Sequence, residues 1–232
     1  SEVTRRGALT GVLGMTAGLM VGAPLTARAA ERLRKAAPTP NEAIAMLKAG
    51  NERFISGNVQ PDDLASTRKR LVDGQAPFAI VLRCADSRVS PEIVFDQGLG
   101  DLFVCAVAGN IPTAELVASM EYAIAILGSP LIVVMGHTSC GAVKGACNNV
   151  ELGNLTGLLD KIKPAISIVS NRGVAADDSR FVDEVAIENV QLSLDTILHD
   201  SPVIKEMVDN DELKCAKAMY SVQTGEVELN LL

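Results

Sequence analysis

The chain has no tryptophan, and aromatic residues make up only 3% of it. That poverty argues against a carbohydrate groove or a base-stacking platform, both of which are built on aromatic faces. Positive charge is also short. A formal net charge of −7 and a pI near 4.9 speak against a nucleic-acid partner, which needs a basic footprint. The five cysteines fall in no dense pattern, so a disulfide scaffold is not indicated. What the chain does have is apolar residues, at 48%, which excludes global disorder. At 232 residues it is long enough for one large α/β domain or two small ones.

The N-terminus stands apart. Thr4-Arg5-Arg6 precedes Gly7–Ala27, 21 residues without a charge, and Ala27-Arg28-Ala29 follows. This is the order of a positive n-region, an apolar h-region and a small-x-small cleavage pattern. The paired arginines resemble a twin-arginine export signal. A transmembrane anchor is the rival reading, since such a run can just span a bilayer. Five glycines and Pro24 make it a poor anchor. The plain alternative is an N-terminal helical arm packing on a partner subunit. The expected layout is therefore an export signal over residues 1–29, a linker or arm over 30–40, and one catalytic domain over 41–232. Its expected location is outside the cytoplasm, in the periplasm or a similar compartment, with no stable membrane anchor after cleavage.

Beyond Pro40, apolar spacing at Ala43, Ile44, Leu47, Phe54 and Ile55 predicts a helix capped by Asn41. Ala76–Leu82, Leu102–Ala108 and Leu131–Met135 read as buried strands. Ser90-Pro91-Glu92 predicts a short helix with serine as cap, and Glu115–Leu127 a longer one. Leu64–Gly74 gives no clear signal. The later half reads as helices over about Leu155–Ser170, Ser179–Leu198 and Pro202–Val208. It closes with two strand-like runs, Leu213–Tyr220 and Val227–Leu231, which could add antiparallel strands at the sheet edge. Alternating strands and helices with near-continuous apolar strands predict an α/β fold, a mostly parallel sheet covered by helices.

Chemistry gathers at two strand ends. Cys84, Asp86 and Arg88 alternate just after the first strand, and His137-Thr-Ser-Cys140 follows the third. Strand ends are where an open parallel sheet places its chemistry. Two thiolates and an imidazole suffice for a catalytic zinc site with one position open. H-x-x-C alone is weak, and a lone buried cysteine is usually a small hydrophobe. The coincidence of both pieces at strand ends is what gives them weight. Asp86 can be a fourth ligand or can accept a hydrogen bond from a metal-bound water, with Arg88 holding it in that second role. An ordinary surface ion pair is the bland reading. Other chemistries fail on spacing. Six residues after Cys84 stands Ser90 rather than arginine, Gly141 is followed by Ala-Val-Lys, and Phe103 occupies the third glycine of a dinucleotide fingerprint. A Cys84–His137 nucleophilic pair leaves Cys140 unexplained. Cys105, Cys147 and Cys215 are by default buried small hydrophobes.

C-A-D-S-R at 84–88, G-D-L-F-V at 100–104, A-G-N at 108–110 and G-H-T-S-C-G-A-V-K-G at 136–145 together resemble the beta-class carbonic anhydrases. The likeness continues through E-N-V-Q-L at 188–192 and S-P-V-I at 201–204. It implies one Zn2+ per chain and reversible hydration of CO2 to bicarbonate and a proton by zinc-bound hydroxide. Cys84, His137 and Cys140 match the zinc ligands. Asp86 and Arg88 match a gating dyad in which Asp86 joins the metal only in a closed state. Gln75 matches a substrate-orienting glutamine, Gly141 a backbone donor, and Phe103 and Tyr122 the lining of an apolar CO2 pocket. Core packing is the plain reading of those two aromatics. Gln75 with no tryptophan looks like the plant-type branch. The resemblance also implies a homodimer or an assembly of dimers. One departure stands out: Ala106 occupies the position of an arginine in the family pattern. Two alternatives keep the site but change its use, a hydrolase of CS2 or COS and a catalytically silent zinc-stabilised scaffold or sensor. His199 shows no sign of facing the site.

Overall fold

The computed structural model describes residues 37–61 and 63–232. The export signal over 1–29 and most of the arm over 30–40 lie outside the described residues. Among those described, no helix is long and apolar enough to cross a membrane.

Five strands form one sheet. They are β1 (Ala79–Cys84), β2 (Leu102–Val107), β3 (Leu131–His137), β4 (Lys214–Tyr220) and β5 (Val227–Leu231), in the spatial order β2-β1-β3-β4-β5. The first four run parallel and only β5 is antiparallel. This corrects one expectation. Leu213–Tyr220 was read as half of an antiparallel edge addition, yet β4 pairs with β3 in parallel over its whole length. The helices before it carry the chain back to the starting end of the sheet, the long crossover that parallel pairing requires. β3 is buried at all seven positions, as expected of a central parallel strand covered on both faces.

Two apolar layers cover the sheet. On one face, Val81, Val133 and Ala216 pack under α1 (Pro40–Ser56), α3 (Pro91–Val94), α5 (Gly141–Cys147), α6 (Gly153–Asp160), α7 (Lys163–Asn171) and the start of α8 (Phe181–Asp200). On the other, Ile80, Leu82, Ile132 and Cys215 meet α4 (Ala114–Ala125), the rest of α8 and α9 (Pro202–Asp209). A short helix, α2 (Leu64–Arg70), occupies the stretch that had no clear signal.

Local boundaries follow side-chain chemistry. α1 is capped by Thr39 rather than Asn41, in a reciprocal capping box with Glu42. Pro40 then sits where its missing N–H costs nothing. Ser90 does stand at the N-cap of α3, but its hydroxyl donates to Glu92 and caps no backbone N–H. The expected helix over 155–170 is two helices, α6 and α7, separated at Lys161 and Ile162. Pro164 cannot continue the preceding backbone ladder, and it is well placed in a first turn.

Candidate metal centre

β2 and β3 lie on either side of β1. The chain therefore leaves β1 in one direction and later returns past it, which opens a crevice at the C-terminal ends of β1 and β3. β1 ends on Cys84 and β3 on His137. After His137 the chain turns through Ser139, at φ 56°, and Cys140 becomes the N-cap residue of α5. That turn is tied down on two sides. Ser139 N–H donates to Asp183 of α8 at 2.8 Å, and Val222 N–H donates to the Thr138 hydroxyl at 3.1 Å.

Cys84 Sγ, Cys140 Sγ and a ring nitrogen of His137 all lie within 4.8 Å of one another, and all three residues are buried. The two sulfurs are 3.9 Å apart. Two Zn–S bonds of about 2.3 Å at a tetrahedral angle span about 3.8 Å, so the spacing suits zinc. His137 supplies a second test. Its Nδ1 lies 2.9 Å from Thr138 O, and since a carbonyl can only accept, Nδ1 carries the proton. Nε2 then holds a lone pair, buried without a hydrogen-bond partner. Burying such an atom is costly unless something binds it. Two thiols and one orphaned imidazole nitrogen, held by rigid strand ends, fit a zinc ion with one position left open.

Electrostatics favour that binding. The Cys140 thiol, hydrogen-bonded to Cys84, holds the Cys84 thiol well below its usual range against the opposing effect of burial. The N–H of Gly109 acts in the same sense. Cys140 is pushed up by the same sulfur contact and by burial. The pair thus favours one negative sulfur, and a divalent cation held by Cys84, Cys140 and His137 would take the place of the remaining thiol proton. Asp86 lies at the rim. Its Oδ2 is 3.9 Å from His137 Nε2. Arg88 grips the same carboxylate with Nε to Oδ1 at 2.9 Å, Nη2 to Oδ2 at 2.6 Å, and its backbone N–H to Oδ1 at 3.0 Å. This bidentate hold keeps the Asp86 carboxyl well below the usual carboxylate range.

Comparison with known proteins agrees with this geometry. The family described as carbonic anhydrase matches residues 79–227. Carbonic anhydrase 2 of Mycobacterium tuberculosis is 36% identical over 196 residues, covering 82% of this chain and 92% of that protein. The carbonic anhydrase of Mycolicibacterium smegmatis is 34% identical, covering 82% and 93%. Among solved structures, the beta-carbonic anhydrase CcaA superposes with a TM-score of 0.65 at 28% identity, over 71% of this chain and 84% of that one. One of two tetrameric beta-carbonic anhydrases from Sordaria macrospora gives 0.66 at 26% identity, over 71% and 86%. This chain belongs to the beta-class carbonic anhydrases.

The remaining residues that the family resemblance singled out do not all reach the cluster. Gln75 is exposed in the loop before β1, at the far end of that strand from Cys84, about 17 Å of strand rise away. Phe103 and Tyr122 touch each other, with ring centroids 6.3 Å apart. Phe103 packs against the core layer opposite to the one that holds Cys84 and Cys140. Within one chain, then, none of these three meets the metal cluster. Gly141 does, as the first residue of α5 directly after Cys140. His199 is exposed near the end of α8 and pairs with Asp200. Cys105, Cys147 and Cys215 are free thiols, and burial pushes Cys105 up to about 11 and Cys215 up to about 12, so both are inert packing.

Two contributors were not picked out from the sequence. Gly109 donates its N–H to Cys84 Sγ at 3.2 Å. Its φ is +73°, and a Cβ there would lie 2.7 Å from Ile162 Cδ1, so only glycine fits. Asn189 fixes it by donating to Gly109 O at 2.8 Å. The signals were present in A-G-N and E-N-V-Q-L, but only the fold brings those two motifs together.

Proposed function

We infer that this chain interconverts CO2 and bicarbonate at a zinc ion held by Cys84, His137 and Cys140, one ion per chain. The observation that carries this reading is the pair of thiols with an orphaned His137 Nε2 at the crevice between β1 and β3. Zinc with such ligands lowers the pKa of a bound water to about 7, which supplies the nucleophile at neutral pH. The chain's own residues do the rest. Asp86 stays ionised because Arg88 holds it, and it presents an acceptor oxygen beside His137 Nε2. It therefore accepts the nucleophile's hydrogen and turns its lone pair toward the substrate carbon. With both carboxylate oxygens gripped by Arg88, Asp86 is oriented as an acceptor rather than spent as a fourth ligand, which favours an enzyme over a scaffold. Gly141 offers its N–H to a product oxygen.

A second copy of the chain completes the substrate pocket. β2 is an edge strand reading Leu-Phe-Val-Cys-Ala-Val, with no charge and with Phe103, Val104 and Val107 only partly buried. An unpaired apolar edge of this kind is a template for association. Two-fold pairing presents the same patch from both copies, so that Phe103, Tyr122 and Gln75 of one face the cluster of the other. In that arrangement the aromatics keep water from the CO2 site and Gln75 donates to a substrate oxygen, as in the plant-type branch. Residues 1–29 act as an export signal on this reading, supported by Thr4-Arg5-Arg6 and Ala27-Arg28-Ala29. N-terminal sequencing of protein from the cell envelope is expected to start near Ala30, and a chain that retains Arg5-Arg6 counts against cleavage.

Stopped-flow CO2 hydration over pH 7–9, with zinc measured on the same sample, tests the activity. The expected result is catalysis that rises with pH. Fully zinc-loaded protein that stays at the uncatalysed rate sinks the reading, and sulfide release from CS2 or COS without CO2 turnover replaces it with a related hydrolase.

A further inference from the structure

Arg83 is the one charged residue in β1, and the other five residues of the strand are buried. Its Nη1 donates to Cys84 O at 2.8 Å and reaches Asp86 O at 3.4 Å. Its Nε is buried with no hydrogen-bond partner. Among the described residues, no carboxylate lies within ion-pair distance of it. A guanidinium that is partly desolvated and unpaired is costly, and a merely solvating arginine would turn outward to water. This one instead spends its donors on two carbonyls, those of the first metal ligand and of the acid beside it.

The geometry of the turn explains what those bonds do. Asp86 O also accepts Val89 N–H at 3.2 Å, and Ala85 N–H donates to Val107 O at 3.0 Å. The peptide groups around Cys84 and Asp86 are thereby fixed from β2, from the turn and from Arg83. Fixing both carbonyls sets the direction of the Cys84 side chain and the separation between Cys84 Sγ and the Asp86 carboxylate. Room for the guanidinium comes from the neighbouring strand. Arg83 is in register with Ala106 of β2, and residues in register share a face of the sheet. Ala106 is exposed and has only a methyl group, so it leaves the long side chain of Arg83 free to fold back over the turn.

We propose that Arg83 is a positioning residue that clamps the Cys84–Asp86 turn in its metal-binding shape, acting over the space left by Ala106. The proposal rests on the zinc reading above.

The test compares the parent protein with Arg83→Met, Arg83→Lys and the double variant Arg83→Met with Ala106→Arg. Each is prepared metal-free and titrated with zinc against a chromophoric chelator, and kcat and KM for CO2 are measured on the loaded samples. Loss of a residue that orients a metal ligand costs about 10–100-fold in metal affinity or activity. Arg83→Met is therefore expected to bind zinc about 10-fold more weakly and to lose kcat with KM little changed. The double variant recovers much of both, because a guanidinium on the in-register neighbour can reach the same carbonyls. Arg83→Lys lies between, about threefold down, since an ammonium is a point donor without the fork. Zinc affinity and kcat within twofold of the parent in Arg83→Met overturn the proposal. So does a loss that neither Arg83→Lys nor Ala106→Arg relieves, which marks Arg83 as general packing. Should Arg83→Met fail to fold, Arg83→Lys decides, and an affinity equal to the parent's overturns the clamp. A parent protein that binds no zinc refutes the underlying reading instead, so the two failures are distinguishable.

Discussion

The turn at Cys84–Arg88 and the aromatic pair Phe103–Tyr122 belong to the same sheet but are finished to different degrees. In the first, the main polar contacts are made inside the chain: Gly109 N–H on Cys84, Arg88 on Asp86, Arg83 Nη1 on the carbonyls. His137 Nε2, buried without a partner, faces the place where a metal fits. In the second, Tyr122 is 47% exposed and β2 beside it has an open edge. The contrast is that the metal cluster is assembled within one folded chain, whereas on the proposed reading the substrate pocket needs a second copy. On that reading, self-association should change turnover without changing zinc content.

The largest effect should come from the finished half. Cys84→Ser removes a ligand, and a metal contributes several kcal/mol to the transition state, so hydration should fall about 1,000-fold along with the zinc content. Phe103→Ala, by contrast, should keep its zinc; loss of zinc there breaks the division. Next comes Asp86→Asn, expected to lose about 10–100-fold in kcat with zinc retained. Arg88 holds the Asp86 pKa well below the usual carboxylate range, so this carboxylate is already ionised at neutral pH. The rise in rate over pH 7–9 should therefore come from a group other than Asp86, and a parent profile that follows an acidic carboxylate contradicts the assignment.

Gln75→Ala should cost about 10-fold through one lost hydrogen bond to substrate. Its informative form is a mixture. In a dimer of one Cys84→Ser chain and one Gln75→Ala chain, pairing across copies leaves one site with both residues intact. Such a heterodimer should show one site at the parental rate, and a rate no better than that of Gln75→Ala places the glutamine in its own chain's site. The smallest effect concerns stability. A Cβ on Gly136 would lie 2.6 Å from Val190 Cγ2 and 2.7 Å from Met219 Sδ. Gly136→Ala should therefore cost about 1–3 kcal/mol by overpacking, read as a lower Tm with the zinc ligands still present.

Much of the fold and of the metal site is legible in the sequence. Continuous apolar runs marked β1 to β3, because a strand buried on both faces has no polar side to display. Cys84, His137 and Cys140 stood out because each follows such a run. The rest depends on relations that a linear pattern does not carry. The direction of β4 depends on where α8 and α9 deliver the chain. The role of Gly109 depends on β2 ending beside Cys84, and that of Arg83 on its register with Ala106. Gln75 was matched by its spacing to Cys84, but the intervening strand carries the two to opposite ends of the sheet.

The most direct test is a zinc titration of metal-free protein with CO2 hydration followed on the same sample. Activity should rise in proportion to bound zinc and saturate at one ion per chain, and a Cys84→Ser chain should show neither binding nor catalysis. Catalysis that persists without zinc, or one tightly bound zinc per chain with no hydration above background, contradicts the proposed function.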